Sequence, residues 1–193
     1  MDGIRAVIYD LDGTLYDKSR LAFRLIVRES LRLRIGMLGR ERKARKALAG
    51  REFPDEKAFY DAFYALLSPN RNRAERWYRH YLNDMTAILR RHYRLRDGVL
   101  PELDAWARKG IPVAVLSDYG AVREKLTALG FPVGKAAVLL DAPAGGGLKP
   151  CPRAFLLIAE RLGVPPEQCL VIGDRADTDG AGAAAAGMQF RLV

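Results

Sequence analysis

The chain has 193 residues, 49% of them hydrophobic and 28% charged, which suffices for one domain with a sizeable core, or one core carrying an insertion. That composition excludes collagen-like, mucin-like and wholly disordered chains, and no apolar run approaches the roughly 18–20 residues of a membrane helix. The formal net charge of +9 is unevenly placed: residues 17–98 carry 21 Lys/Arg against 10 Asp/Glu, and the remainder carries 11 against 13.

Arg5-Ala6-Val7-Ile8-Tyr9 is a short apolar run rich in β-formers, and it stops at the turn chemistry of Asp10-Leu11-Asp12-Gly13. It reads as a buried strand of parallel type followed by a loop. The opening residues lack the cationic lead and long apolar centre of a signal peptide. Cys151 and Cys169 make no disulfide framework and no Cys-x-x-Cys occurs, so a cytoplasmic protein is expected. From about Lys18 to Leu95 no strand is evident. Leu21, Leu25 and Ile26 share a helical face, with Arg20, Arg24, Arg28 and Arg32 spaced by four. Phe59, Ala62, Phe63 and Leu66 repeat the pattern after the helix start Pro54-Asp55-Glu56, and Trp77, Tyr81, Met85, Ile88 and His92 form a third stripe. The aromatics are read as packing between helices rather than as a cofactor box. Arg96-Asp97-Gly98 ends this segment. Its charge excess names no partner by itself and fits solvated helix faces as well as anion binding.

Beyond Gly98, helix and strand alternate. A helix from Leu100 to Lys109 stops at Gly110. The run Pro112–Leu116 ends at Ser117-Asp118, and a helix from Ala121 to Leu129 ends at Gly130. Ala136–Leu140 ends at Asp141, Gly145-Gly146-Gly147 is a flexible loop, and Pro152–Leu162 is helical. Cys169–Ile172 ends at Gly173-Asp174, and Met188–Leu192 closes the chain. This order predicts an α/β fold, a three-layer parallel-sheet core, with an all-helical insertion after the first strand. In open α/β sheets the site lies beyond the carboxyl ends of the strands. Those ends supply Asp10 and Asp12, Ser117, and Asp174 with Asp177 and Asp179 close behind; Lys149 follows the third strand at a helix start. Gly180-Ala181-Gly182 mimics a dinucleotide fingerprint, but an acidic loop separates it from its strand and no ribose-binding acid follows.

With the residues in view, Asp10-Leu11-Asp12-Gly13-Thr14-Leu15 resembles the first motif of the haloacid dehalogenase superfamily. Val115-Leu116-Ser117-Asp118 resembles its second, Lys149-Pro150 its third, and Gly173-Asp174-Arg175-Ala176-Asp177-Thr178-Asp179 its fourth, all in the family's order. The resemblance covers residues 1–16 and 99–193, and the insertion at 17–98 stands where the family carries its helical cap. It implies a Rossmann-like core with that cap, acting as a Mg2+-dependent phosphatase through an aspartyl-phosphate. Asp10 is then the nucleophile and Asp12 the acid and later the base. An acid at position 12 suits a leaving oxygen, which needs a proton, rather than a halide, which does not. The resemblance assigns Mg2+ to Asp10, the backbone carbonyl of Asp12, and Asp174.

Ser117 and Lys149 are implied to bind the substrate phosphate and count among the catalytic groups. Asp118 joins the phosphate-binding set by position, although an acid suits that place only if its side chain points away. Asp179 is preferred to Asp177 as the acid that holds water or orients Lys149. The cap would close over the site with hinges at Asp17 and Arg96-Asp97-Gly98. The expected substrate is a small phosphorylated metabolite, with no membrane partner; neither the metabolite nor the oligomeric state is legible. A phosphomutase using the same two aspartates is the alternative enzyme. A non-catalytic phosphate- or nucleic-acid-binding protein using the basic insertion is the rival from another class, ranked lower because the acidic core holds a complete catalytic set.

Overall fold

The computed structural model describes residues 3–193. The strands β1 (Ala6–Asp10), β2 (Val113–Ser117), β3 (Ala136–Asp141), β4 (Cys169–Gly173) and β5 (Gln189–Leu192) form one sheet in the order β3-β2-β1-β4-β5. All pairings are parallel. The three central strands β1, β2 and β4 are buried at every residue, as continuous apolar runs in a sheet covered on both faces require. The crossover helices are α5 (Val99–Arg108), α6 (Val122–Leu129), α7 (Arg153–Leu162) and the short α8 (Ala181–Ala185). Gly130 and Gly163 end α6 and α7 in the left-handed region, at φ 79° and 63°, where a Cβ would be strained. The expected α/β core is therefore present. None of the described helices is long and apolar enough to cross a membrane.

Between β1 and α5 the chain forms four helices, α1 (Leu21–Leu31), α2 (Ile35–Leu48), α3 (Glu56–Leu67) and α4 (Arg71–His92). The sequence predicts only three. The missing one is α2, and its buried face explains why: Glu41 and Arg45 lie among Met37, Leu38, Ala44 and Leu48, so the apolar period is broken by a charged pair. Two residues assigned to apolar faces lie outside the core, Ile26 at 37% and Leu66 at 48% exposure. Asp55 caps α3 by accepting the Ala58 N–H at 2.7 Å, and Asn70 caps α4 through the Arg73 N–H at 2.9 Å. The aromatics pack as expected. Phe63 meets the Tyr78 ring edge-on at 5.0 Å, and Trp77 stacks on Tyr81 at 5.2 Å.

Candidate active site

The register brings the polar strand ends to one edge of the sheet. Asp10 lies opposite Leu116, Tyr9 opposite Ile172, and Ser117 opposite Asp141. Asp12, Ser117 and Asp174, which follow or end the three central strands, are thereby neighbours. Asp10 is buried; its Oδ2 accepts the Thr14 hydroxyl at 2.8 Å and its Oδ1 accepts Lys149 Nζ at 2.5 Å. The same Nζ lies 2.5 Å from Asp179 Oδ1. One ammonium thus joins two carboxylates. Burial opposes the charge on Lys149, but Asp10, Asp118 and Asp179 outweigh it and hold the ammonium well above the usual lysine range.

Asp179 reaches Lys149 because a π-helical turn, Ala176–Gly180, folds it back over the end of β4. A Cβ on Gly173 would lie 2.5 Å from Asp179 Cβ, so only glycine leaves room for that side chain. The Arg175 N–H donates to Asp179 Oδ2 at 3.2 Å. Burial, partly opposed by Lys149, pushes the Asp179 carboxyl up to about 6. Asp177, by contrast, is exposed and paired with Arg175 at 2.5 Å. Of the two acids offered by the fourth motif, Asp179 is the one in contact with Lys149.

Asp12 is held differently. Its Oδ1 accepts Tyr16 OH at 2.8 Å, and its Oδ2 accepts Ser117 Oγ at 2.7 Å and Lys125 Nζ at 2.5 Å. Burial alone would raise its pKa, but the charge and hydrogen bond of Lys125, with Ser117 and Tyr16, pull it below the ordinary value. Asp12 is therefore ionised in this arrangement. Ser117 is fully buried and its oxygen also accepts Lys125 Nζ at 3.0 Å, so its hydroxyl serves Asp12 here. Asp118 accepts the Lys149 backbone N–H at 2.9 Å, and burial raises its pKa. Its carboxylate braces the Lys149 loop.

Lys125 was not among the residues singled out from the sequence, although a signal existed. It stands on the face of α6 formed by Val122, Leu126 and Leu129, all buried, and a lysine on an apolar face needs a buried partner. Removing one member of such a pair commonly costs about 3–5 kcal/mol. Tyr16 and Lys18 were also missed, and nothing local in the sequence marks them; Thr14 stands inside the first motif but carries no role in the sequence reading.

The carboxylates of Asp10, Asp174 and Asp179 offer oxygens within 4.8 Å of one another. Lys18 Nζ lies 2.5 Å from Asp174 Oδ2 and 2.8 Å from the Asp12 carbonyl oxygen, so this corner already accepts a cation. An all-oxygen donor set suits a hard divalent ion, and the residues fit Mg2+. The Asp12 carboxylate points away, leaving only its carbonyl toward this corner. Gly13, at φ 111°, lets the loop approach: a Cβ there would lie 2.3 Å from Asp174 Oδ2.

Asp10, Asp12, Asp118, Lys149 and Asp174 line a cavity of about 710 Å³ whose other wall is α2. That volume falls in the range of small-molecule sites. Arg45 ties α2 to the sheet edge. It donates to the Asp118 carbonyl at 2.5 Å and to Tyr78 OH at 2.8 Å, pairs with Glu41, and lies 4.2 Å from the Tyr119 ring centroid. Both cysteines are buried with raised pKa values, Cys169 at about 11, which makes them poor nucleophiles.

Residues 4–187 match the sequence profile of a family described as haloacid dehalogenase-like hydrolase. Among curated proteins, the chain is 37% identical over 92 residues to the glyceraldehyde 3-phosphate phosphatase of Methanopyrus kandleri, across 47% of this chain and 39% of that protein. It is 33% identical over 102 residues to the phosphoserine phosphatase of Thermus thermophilus, across 50% of this chain and 41% of that one. The aligned stretches are thus well under two thirds of either relative. Among solved structures, CbbY from Rhodobacter sphaeroides in complex with phosphate superposes with a TM-score of 0.70 at 21% identity, over 97% of this chain and 84% of that one. At that identity the likeness speaks for the fold.

Proposed function

Because the chain belongs to the haloacid dehalogenase-like hydrolases, we propose that it is a Mg2+-dependent phosphatase that hydrolyses a small phosphomonoester through an aspartyl-phosphate on Asp10. Residues 1–16 and 99–193 form the catalytic core in this reading, and residues 17–98 the cap. The observation that carries it is the contact of Lys149 with both Asp10 and Asp179, beside an oxygen cluster that includes Asp174. A cytoplasmic location goes with the two free thiols.

Asp10 attacks phosphorus as the bond to the leaving oxygen breaks, and Asp12 gives that oxygen a proton. Asp12 then takes a proton from a water, which attacks the phosphorus and frees Asp10 and orthophosphate. Lys149 draws charge from the transferring oxygens and positions the Asp10 carboxyl through their direct contact. Mg2+, held by Asp10, Asp174 and the Asp12 carbonyl, would supply the positive charge that lets a phosphate dianion approach a carboxylate. To carry a proton, Asp12 must leave Lys125 and Ser117. The hinge Arg96-Asp97-Gly98 is attached to the loop that would have to shift: Arg96 donates its N–H to the Leu15 carbonyl and its Nη2 to the Gly13 carbonyl, each at 2.8 Å. Cap movement and Asp12 movement are coupled through it.

The test is orthophosphate release from p-nitrophenyl phosphate and a panel of phosphorylated metabolites in Mg2+. We expect turnover that excess chelator abolishes and that Asp10→Asn lowers by about a thousandfold or more. Undiminished turnover in Asp10→Asn or in chelator would contradict the mechanism. Phosphate passing between hydroxyls without release would assign a mutase instead.

A further inference from the structure

Resting on that phosphatase reading, we propose that the substrate carries a second anionic group, a carboxylate or a further phosphate, which Arg42 and Lys46 of α2 bind. Arg45 is buried, paired with Glu41 and hydrogen-bonded to both the Asp118 carbonyl and Tyr78 OH. Those contacts set the rotation of the helix over the sheet edge. Arg42 lies three residues before Arg45 and Lys46 one after; the two are i,i+4 neighbours on one face. Both line the same cavity as Asp10, Lys149 and Asp174, with Lys43 beside them.

The charges on the two walls are unequally matched. On the sheet side, Lys149 meets Asp10 and Asp179, Lys18 meets Asp174, Lys125 meets Asp12 and Arg175 meets Asp177. On the α2 side the one carboxylate lining the cavity, Glu41, is taken by Arg45. Among the described residues, no carboxylate lies within the 4.0 Å ion-pair distance of Arg42, Lys43 or Lys46. Elsewhere on the insertion, Arg28 and Arg32 are matched by Asp84, Arg34 by Glu29, and Lys57 and Arg71 by Asp61; other arginines such as Arg73, Arg76 and Arg79 have no carboxylate at that distance either among the described residues, but they do not line this cavity.

Two like charges one turn apart weaken a helix, and an anion between them relieves the repulsion. The transferred phosphoryl group belongs beside Asp10, where Lys149 and the oxygen cluster already provide for it. The α2 cations are surplus to that group and available to a second one. Arg42 offers the planar fork that carboxylate and phosphate both match.

Two matched pairs test the proposal. Glycerol 3-phosphate and 3-phosphoglycerate differ by a carboxylate; fructose 6-phosphate and fructose 1,6-bisphosphate differ by a phosphate. In at least one pair, kcat/KM should favour the doubly anionic member by about tenfold or more, and which pair responds identifies the group. The Arg42→Gln/Lys46→Gln variant should bring that ratio near one, chiefly through KM, and Arg42→Lys/Lys46→Arg should restore part of it. Calorimetric titration of the same compounds into Asp10→Asn should show the same preference without turnover. If p-nitrophenyl phosphate is hydrolysed but neither pair discriminates, or the ratio survives the double Gln variant, the proposal is wrong and the phosphatase reading stands. If no phosphoester is hydrolysed, the phosphatase reading falls and this one with it.

Discussion

Asp141 ends β3 under partial cover, and burial pushes its carboxyl up to about 6 against an ordinary 3.8. Between those values the folded chain holds a proton that the unfolded chain has lost. Unfolding free energy therefore falls as pH rises through that window, by about 2 kcal/mol after allowing for residual solvent contact. Asp141→Asn keeps an oxygen for the Val122 N–H, which donates to Oδ1 at 3.3 Å. We expect it to raise stability by about 2 kcal/mol at pH 8 and by almost nothing at pH 3.5, measured by urea unfolding. An equal gain at both pH values would show that the effect is not one of charge. Asp12 moves the other way in the same interior because Lys125 faces it. The sequence announces the presence of both acids but not the direction of either shift, since direction depends on which cation folding brings alongside.

At the scale of the element, the end of β4 shows what a motif specifies. Gly173 is required less for its own flexibility than for the space it leaves to Asp179. Gly173→Ala would set a Cβ 2.5 Å from Asp179 Cβ and Cγ. Asp179 must then move off Lys149, and turnover of a phosphomonoester should fall tenfold or more, with a stability cost of about 1–3 kcal/mol. Gly134→Ala is the control, because its Cβ would meet nothing within 4 Å. Unchanged kinetics in Gly173→Ala would remove Asp179 from the account of how Lys149 is oriented. The core helices α5, α6 and α7 were legible from their apolar periods and terminal glycines; the five-residue α8 is too short to show a period. α2 was not, because a helix that buries Glu41 and Arg45 looks exposed to any reading that counts apolar residues along the chain.

For the whole molecule, oxygens from Asp10, Asp174 and Asp179 converge only in the folded state. A cation bound there adds its binding free energy to stability, about 2.7 kcal/mol at a hundredfold excess over Kd. For a chain of this size that corresponds to a rise in Tm of roughly 5–10 °C. Scanning calorimetry should show the rise on adding Mg2+ and its reversal with chelator; a Tm indifferent to Mg2+ would argue against the cluster as a cation site.

The alternation of strands and helices, the basic insertion, and the polar residues at the strand ends all followed from the sequence alone, because propensity, periodicity and turn chemistry are local properties. The chain's order also announced the four motifs. Tertiary structure alone decided that Lys149 bridges Asp179 and Asp10, that Lys125 holds Asp12 ionised from 113 positions away, and that α2 forms the cavity's second wall. A buried charge is defined by its partner, and partners are chosen by the folding of the sheet and insertion together.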